Sequence, residues 1–442
     1  MATTQPVAQA ILPDEIARKI VLPEGHADLD SLHAAYRWMR QNMPVGKAVV
    51  DGFDELWLVA KHADILQVEG MPEVFAAGGG PDHPGSHNPI LQNQAGDQFM
   101  KNTVGTVRIM DALSYMDGAE HSAMKAIAFD YFKPSRVAKL EDQIRQLARA
   151  SIDKLKKVSE QGEIDLVTDW ALGFPLHVIM SLFGVPPEDE PLMMKLTQEF
   201  FGTADPEYQR DDIEAMTPEA MAQQFVASFQ EFCGYFENLL QDRRANPRDD
   251  LATIIAQARR ADGEYWPASF AYGWFMQVCT AGHDTTSSTL AGTLKALAEH
   301  PDVLARVKAD LSLVPKMVVE GVRYVAPVKH FMRIALTDTT LGGQTIKAGE
   351  RVMPLFQSGC RDEDLFENPD VFSLDRENNS HLGFGFGPHT CVGQHLAKLE
   401  LRIMFEELLP RLESIEITGP GSLTATNFVG GLKHLPARVK IS

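Results

Sequence analysis

Several things are scarce in this chain, and each scarcity excludes something. No stretch approaches the ~20 consecutive apolar residues that a membrane-spanning helix needs. The N-terminal segment MATTQPVAQAILPDEIARKIVLPEG lacks the basic start and apolar core of a secretory signal. Cysteine is sparse: the four residues Cys233, Cys279, Cys360 and Cys391 lie far apart and form no CxxC pair. That argues against a zinc site or a disulfide framework and fits a reducing compartment. Positive charge is also short, with 41 Lys and Arg against 60 Asp and Glu and a formal charge of −19, which makes general nucleic-acid binding a poor fit. The expectation is a cytoplasmic protein with no membrane and no nucleic-acid partner.

What remains is ordinary for a globular chain, with 44% apolar and 23% charged residues. A length of 442 residues suggests two or three domains. No internal repeat or low-complexity linker divides the chain, however. A single domain over 1–442, mainly α with a small β-rich lobe, accounts for it, with the first ~15 residues as a flexible arm. Strand-like alternation occupies 48–60, with Gly52 and Asp54 marking a hairpin turn. A Gly-, Pro-, Asn- and Gln-rich loop covers roughly 77–105, long enough to be a lid, a binding loop or a disordered segment. From about 117 to 315 the pattern is helical, with loops at Pro186–Pro187, 203–212 and 244–249. Residues 330–357 then read as short strands around Gly342, Gly343 and Gly349.

Two segments carry chemistry. In FGFGPHTCVGQHLA, residues 384–397, two glycines and a proline crowd the approach to Cys391, a third glycine follows at 393, and an amphipathic helix pattern begins beyond it. Glycine allows sharp turns and close approach to a flat ligand. A helix N-terminus offers N–H groups and a positive dipole end to a thiolate. Such surroundings predict a lowered cysteine pKa and a metal-binding sulfur. A single axial thiolate on haem iron favours O–O cleavage. The second segment lies within a helical pattern of about thirty residues, ~45 Å long, bracketed by Pro267 and Pro301. Its middle, Ala281-Gly282-His283-Asp284-Thr285-Thr286, is poor in helix formers and predicts a distorted turn. Small Ala281 and Gly282 would admit a flat cofactor, while Asp284 and Thr285 could carry protons inward.

Phe384, Gly385, Gly387, His389, Cys391 and Gly393 match FGxGxHxCxG, and on them the chain resembles the cytochrome P450 family. The resemblance runs from about residue 15 to the C-terminus and implies that family's fold, with haem b held by the Cys391 thiolate. AGHDTT then resembles the oxygen-activating segment, with Ala281 beside the haem, Thr285 as the hydroxyl that serves bound oxygen and Asp284 as the acid that relays protons. Glu320 and Arg323, an ExxR pair on one helix face, and Arg376 match the structural Glu–Arg–Arg cluster that supports the cysteine loop. His389, Arg333 and His121 match groups that hold the haem propionates. Lys125 stands where arginine is usual and supplies charge without a fork. Cys360 stands where asparagine is usual. For the 77–105 loop, the resemblance implies a substrate-covering lid.

Within the family, residues 175–202 and 425–431 look most like the bacterial branch that hydroxylates α-terpineol. By position Phe331, Phe428 and Val429 line the distal pocket, and they offer no charge to anchor a carboxylate. A compact neutral monoterpenoid or alkyl-aromatic hydrocarbon is therefore the expected substrate. The chain shows no flavin or dinucleotide motif, so electrons must come from a partner. The resemblance implies a [2Fe–2S] ferredoxin and its flavoprotein reductase, with O2 as oxidant. Lys398 and Arg402, at i and i+4, could form a basic docking face or an ordinary solvated one. Two rival functions keep the fold: a peroxygenase or isomerase that needs no ferredoxin, and a non-catalytic haem-binding sensor.

Overall fold

One helix of 32 residues, Ala268–Glu299, organises the computed structural model, which describes residues 10–108, 110–210 and 217–442. Pro267 precedes it and Pro301 opens the next helix, so the helix occupies nearly the whole interval between the two prolines. Its apolar residues face neighbours on several sides, because Gly173–Phe183, Glu190–Phe201, Pro218–Ala245 and Val314–Val325 all pack against it. Four of its hydroxyl residues are satisfied within the helix. Thr280, Thr285, Ser287 and Thr289 each donate to the carbonyl four residues back, at 2.6–2.9 Å. The helix runs unbroken through 281–286, where the sequence predicts a distorted turn.

The sheet-rich lobe is built on a five-stranded sheet ordered Val45–Ala48, Leu56–Val59, Arg351–Pro354, Arg333–Ala335, Phe75–Ala76. Leu56–Val59 and Arg351–Pro354 run parallel; the other pairings are antiparallel. The predicted hairpin is present, and Gly52 takes φ +81° in its turn. Its first strand is Val45–Ala48, earlier than expected, and both strands are buried at every position. Three further strands, Glu163–Asp165, Leu412–Ile417 and Pro436–Ile441, form a second sheet that the sequence reading left out. The first of them interrupts the region read as helical. A third pairing joins Ser422–Leu423 to Leu432–His434.

Three expectations about loops change. The 77–105 loop is shorter than predicted, because Gln94–Val104 is a helix. The Asn93 side chain accepts from Gly96 N–H at 2.7 Å to start it, and Gly105 ends it in the left-handed conformation. The N-terminal arm is also shorter. Lys47 N–H donates to Ala10 O, Leu12 N–H donates to Lys47 O, and helix Asp14–Val21 follows at once. The first nine residues lie outside the described residues, as do positions 211–212 of the 203–212 loop.

Candidate active site

Cys391 ends a loop whose backbone only glycine can follow in places. Gly385 and Gly387 both take φ +67°, and a Cβ on Gly387 would sit 2.3 Å from Glu69 O. Cys391 N–H donates to Phe384 O at 2.9 Å, closing the loop on itself. Helix Gln394–Leu408 starts immediately beyond, and the N–H groups of Gly393 and Gln394 point at the sulfur. The expected lowering of the thiol pKa does not follow. Burial raises it, and this outweighs those N–H groups and the charges of Lys398 and Lys125. A sulfur in this setting needs a bound cation to remain a thiolate, which is what a metal ion provides.

Cys391 is open to a large cavity. Ala281 and Thr285 of the central helix line the same cavity. Gly282 also lines it, but its missing side chain serves helix packing, since a Cβ there would lie 2.7 Å from Ile179 Cδ1. Along one edge lie His121, Lys125, Arg333 and His389, with Phe384 beside the sulfur loop. The rings of His121 and His389 are 4.4 Å apart. Burial lowers both pKa values, that of His121 to about 4, so both are neutral hydrogen-bonding groups at pH 7. Lys125 Nζ donates to Pro388 O at 2.8 Å and thereby ties its helix to the loop. Arg333 is paired with buried Glu69 at 2.6 Å. The set is a cavity-facing sulfur, apolar walls, and two cations with two imidazoles along one edge. It fits a flat metal macrocycle that carries two carboxylates, as haem does.

Phe331, Phe428 and Val429 line the same cavity. The Phe331 and Phe428 rings meet edge to face at 5.2 Å, and Phe201 approaches Phe428 at 6.0 Å. Asp284 stands apart from the cavity wall. Its carboxyl makes no hydrogen bond to any described residue, and burial pushes its pKa up to about 6 against the opposing charge of Lys329. Lys329 was missed in the sequence reading. It is buried, its Nζ donates to Thr426 O, and burial lowers its pKa to about 7. A lone lysine inside the apolar run VAPVKHFM was the available signal. Glu69 was missed too, for its partner Arg333 is far away in sequence.

Glu320, Arg323 and Arg376 meet beneath the sulfur loop. Arg323 grips Glu320 with two bonds of 2.7 and 2.8 Å, and Arg376 Nε adds contacts at 3.0 and 3.2 Å. Ser373 N–H and Asn379 Nδ2 complete the shell around the carboxylate. Arg323 also donates to Cys360 O, while the Cys360 sulfur receives the N–H groups of Leu382 and Gly383. Cys360 thus joins the ionic cluster to the start of the sulfur loop, which gives this unusual residue a physical role. Arg402, one half of the possible docking face, is committed to Glu141 and Glu406 at 2.7 and 2.9 Å.

The family model described as Cytochrome P450 matches residues 84–437. Cytochrome P450-terp of Pseudomonas sp is 43% identical over 432 residues, covering 98% of this chain and 99% of that protein. Linalool 8-monooxygenase of Pseudomonas putida is 30% identical over 91% of this chain and 94% of its own length. Among solved structures, CYP108D1 from Novosphingobium aromaticivorans superposes with a TM-score of 0.87 at 35% identity, covering 98% of this chain and all of that one.

Proposed function

The chain belongs to the cytochrome P450 family of haem–thiolate monooxygenases, and from that premise we propose that it hydroxylates a compact neutral hydrocarbon, a monoterpenoid or an alkyl-aromatic, with electrons from a [2Fe–2S] ferredoxin and its flavoprotein reductase. The observation that carries this reading is one cavity that joins the Cys391 sulfur, the Ala281–Thr285 stretch and the uncharged wall of Phe331, Phe428 and Val429. The names of the two curated relatives, a P450-terp and a linalool monooxygenase, support the terpenoid class. Haem, when held by the Cys391 thiolate, would supply oxygen activation. His121, Lys125, Arg333 and His389 hold its carboxylates in this proposal, and Phe384 shields the sulfur.

The protein's own contribution is positioning and proton movement. Phe331, Phe428 and Val429 bind the hydrocarbon and exclude water around it. Thr285 presents its hydroxyl at the cavity wall, anchored on Ala281 O at 2.6 Å, and can pass a proton received from Asp284. A carboxyl with a pKa of about 6 suits such delivery near neutrality, because it both holds and releases a proton. Thr285→Ala and Asp284→Asn are each expected to divert reducing equivalents to peroxide. Product formation should fall by about 10²-fold or more, within the range of general acid catalysis. The acid form of Asp284 predominates below about pH 6, so the coupling of electrons to product should decline as pH rises through about 6. Asp284→Asn should erase that limb; a profile unchanged in the variant rejects the proton role.

The substrate class is tested by titrating the ferric holoprotein with neutral terpenoids, alkylbenzenes and fatty acids while following its absorbance. Spectral response to the compact neutral ligands alone is expected. Response to fatty acids alone overturns the class and leaves the family untouched. Product formed from hydrogen peroxide, with none from any ferredoxin system, would favour the peroxygenase alternative.

A further inference from the structure

The cavity adjoins a second, smaller one through shared residues Ile90, Phe200, Phe201 and Phe428. Thr203 and Ala204, which follow helix Glu190–Phe201, wall this outer cavity together with Thr426 and Asn427. The segment from 203 to 208 has little structure of its own beyond the turn Pro206–Tyr208, and charge holds it in place. The Asp205 carboxylate accepts from Ala425 N–H at 2.9 Å, Glu207 N–H at 3.1 Å and Lys433 Nζ at 2.9 and 3.1 Å. Lys433 also reaches Glu207 Oε2 at 2.8 Å.

His434 stands beside this anchor with both ring nitrogens engaged. Nδ1 is 2.5 Å from Asp165 Oδ2, and Nε2 is 2.7 Å from Glu207 Oε1. Neutral imidazole has one N–H and can donate to only one of these carboxylates; it then turns a lone pair toward the other. Only the imidazolium satisfies both. The ring thereby joins strand Glu163–Asp165 to the turn Pro206–Tyr208.

We propose that the His434 imidazolium is a positioning group that holds residues 203–208 closed over the outer end of the substrate cavity, and that its deprotonation weakens the tie between Glu207 and strand Glu163–Asp165 and loosens this cover.

The surroundings favour the charged ring. The hydrogen bond with Asp165, and then that with Glu207, raise the His434 pKa against burial. Burial pushes Asp165 up, but Leu435 N–H, His434 and Val167 N–H outweigh it and keep the carboxylate ionised. Glu207 behaves alike: burial is outweighed by Lys433 and His434. The charged groups facing the ring are therefore Asp165 on one element, Glu207 on the second and Lys433 on its own strand. With a raised pKa, the hold is complete below the ordinary histidine value near 6.5 and is lost as pH rises through the raised one. The Asp205–Lys433 anchor persists, so the cover loosens without detaching. Side-chain exposure of 35% for His434 and 45% for Glu207 keeps the effect modest.

The test is amide hydrogen exchange across 203–208 in the holoenzyme from about pH 6 to about pH 9, corrected for intrinsic exchange. Wild-type protection is expected to fall roughly two- to fivefold over that range, the size of a partly exposed charge pair. His434→Gln should be weakly protected throughout, and His434→Lys should stay protected to high pH because its charge persists. Dissociation of bound α-terpineol, followed by absorbance, should show the same three profiles. Protection that is independent of pH in the wild type, or the same fall in His434→Gln, overturns the proposal. Should His434→Gln fail to fold, Glu207→Gln removes the same contact from the other side. The inference rests on the cavity's being the substrate site, but the exchange arm uses no substrate. Failure of terpenoid binding alone therefore counts against the substrate class and not against the latch.

Discussion

Exchange of Cys391 for alanine is expected to abolish monooxygenase turnover. Among the residues that line the cavity it is the only cysteine; Cys279 and Cys360 are buried elsewhere, and Cys233 lies on the outer helix Pro218–Ala245. Met110 and Met276 also line the cavity, but a neutral thioether lacks the negative charge with which a thiolate donates electrons. His121 and His389 face the same cavity as neutral imidazoles, and an imidazole nitrogen is a competent iron ligand. Haem content and turnover must therefore be read separately. The variant is expected to lose the absorbance signature of sulfur donation and all product formation, whether or not haem remains bound. Cys391→Ser keeps the shape and the two N–H contacts but not the sulfur, and should fail in the same way. Product formation by either variant with the ferredoxin system would remove Cys391 from the mechanism.

The largest loss of stability is expected from Arg323→Ala. The Arg323 and Glu320 side chains are 0% and 1% exposed, and the guanidinium also donates to the carbonyls of Cys360, Pro369 and Val371. Removing one partner of a buried ion pair costs about 3–5 kcal/mol, because the other charge stays buried with fewer contacts. Native proteins have only about 5–15 kcal/mol in total. Arg376 still reaches Glu320 and the Val371 carbonyl, which limits the loss but leaves the Cys360 and Pro369 carbonyls short of a donor. Arg323→Lys should be intermediate, since lysine keeps the charge without the fork. The measurement is the urea midpoint of each variant, and a shift below about 1 kcal/mol would show the cluster to be dispensable.

Much of this architecture was readable in advance, for reasons particular to each segment. Pro267 and Pro301 bracket the central helix because proline blocks continuation at either side. The strands at 333–354 were visible through β-branched runs and glycine turns. The cysteine segment announced itself because its glycines answer strict backbone demands. Helix Gln94–Val104 stayed hidden, since its Gly, Asn and Gln residues score as loop and only the cap at Asn93 betrays it. Strand Leu412–Ile417 shows little regular burial, so its sequence carries no clean period of two. Long-range charge pairing was invisible. Arg333 with Glu69, Asp284 with Lys329 and His434 with Glu207 depend on segments that meet only after folding. The direction of the Cys391 shift failed likewise, because burial is a property of the whole fold and local N–H groups could not outweigh it.

The walls of the Cys391 cavity come from Glu69 at one extreme and Val429 at the other. At ribosomal speeds of about 5–20 residues per second, roughly 20–70 s separate the synthesis of those two residues. For that interval the early half of the wall, with Tyr115, Phe132 and Ile179, has no partner surface, and the sulfur has not yet been made. Cofactor capture is thereby a late event in the life of each molecule. Cells that make this protein quickly should accumulate colourless chains whose apolar interior is open to aggregation.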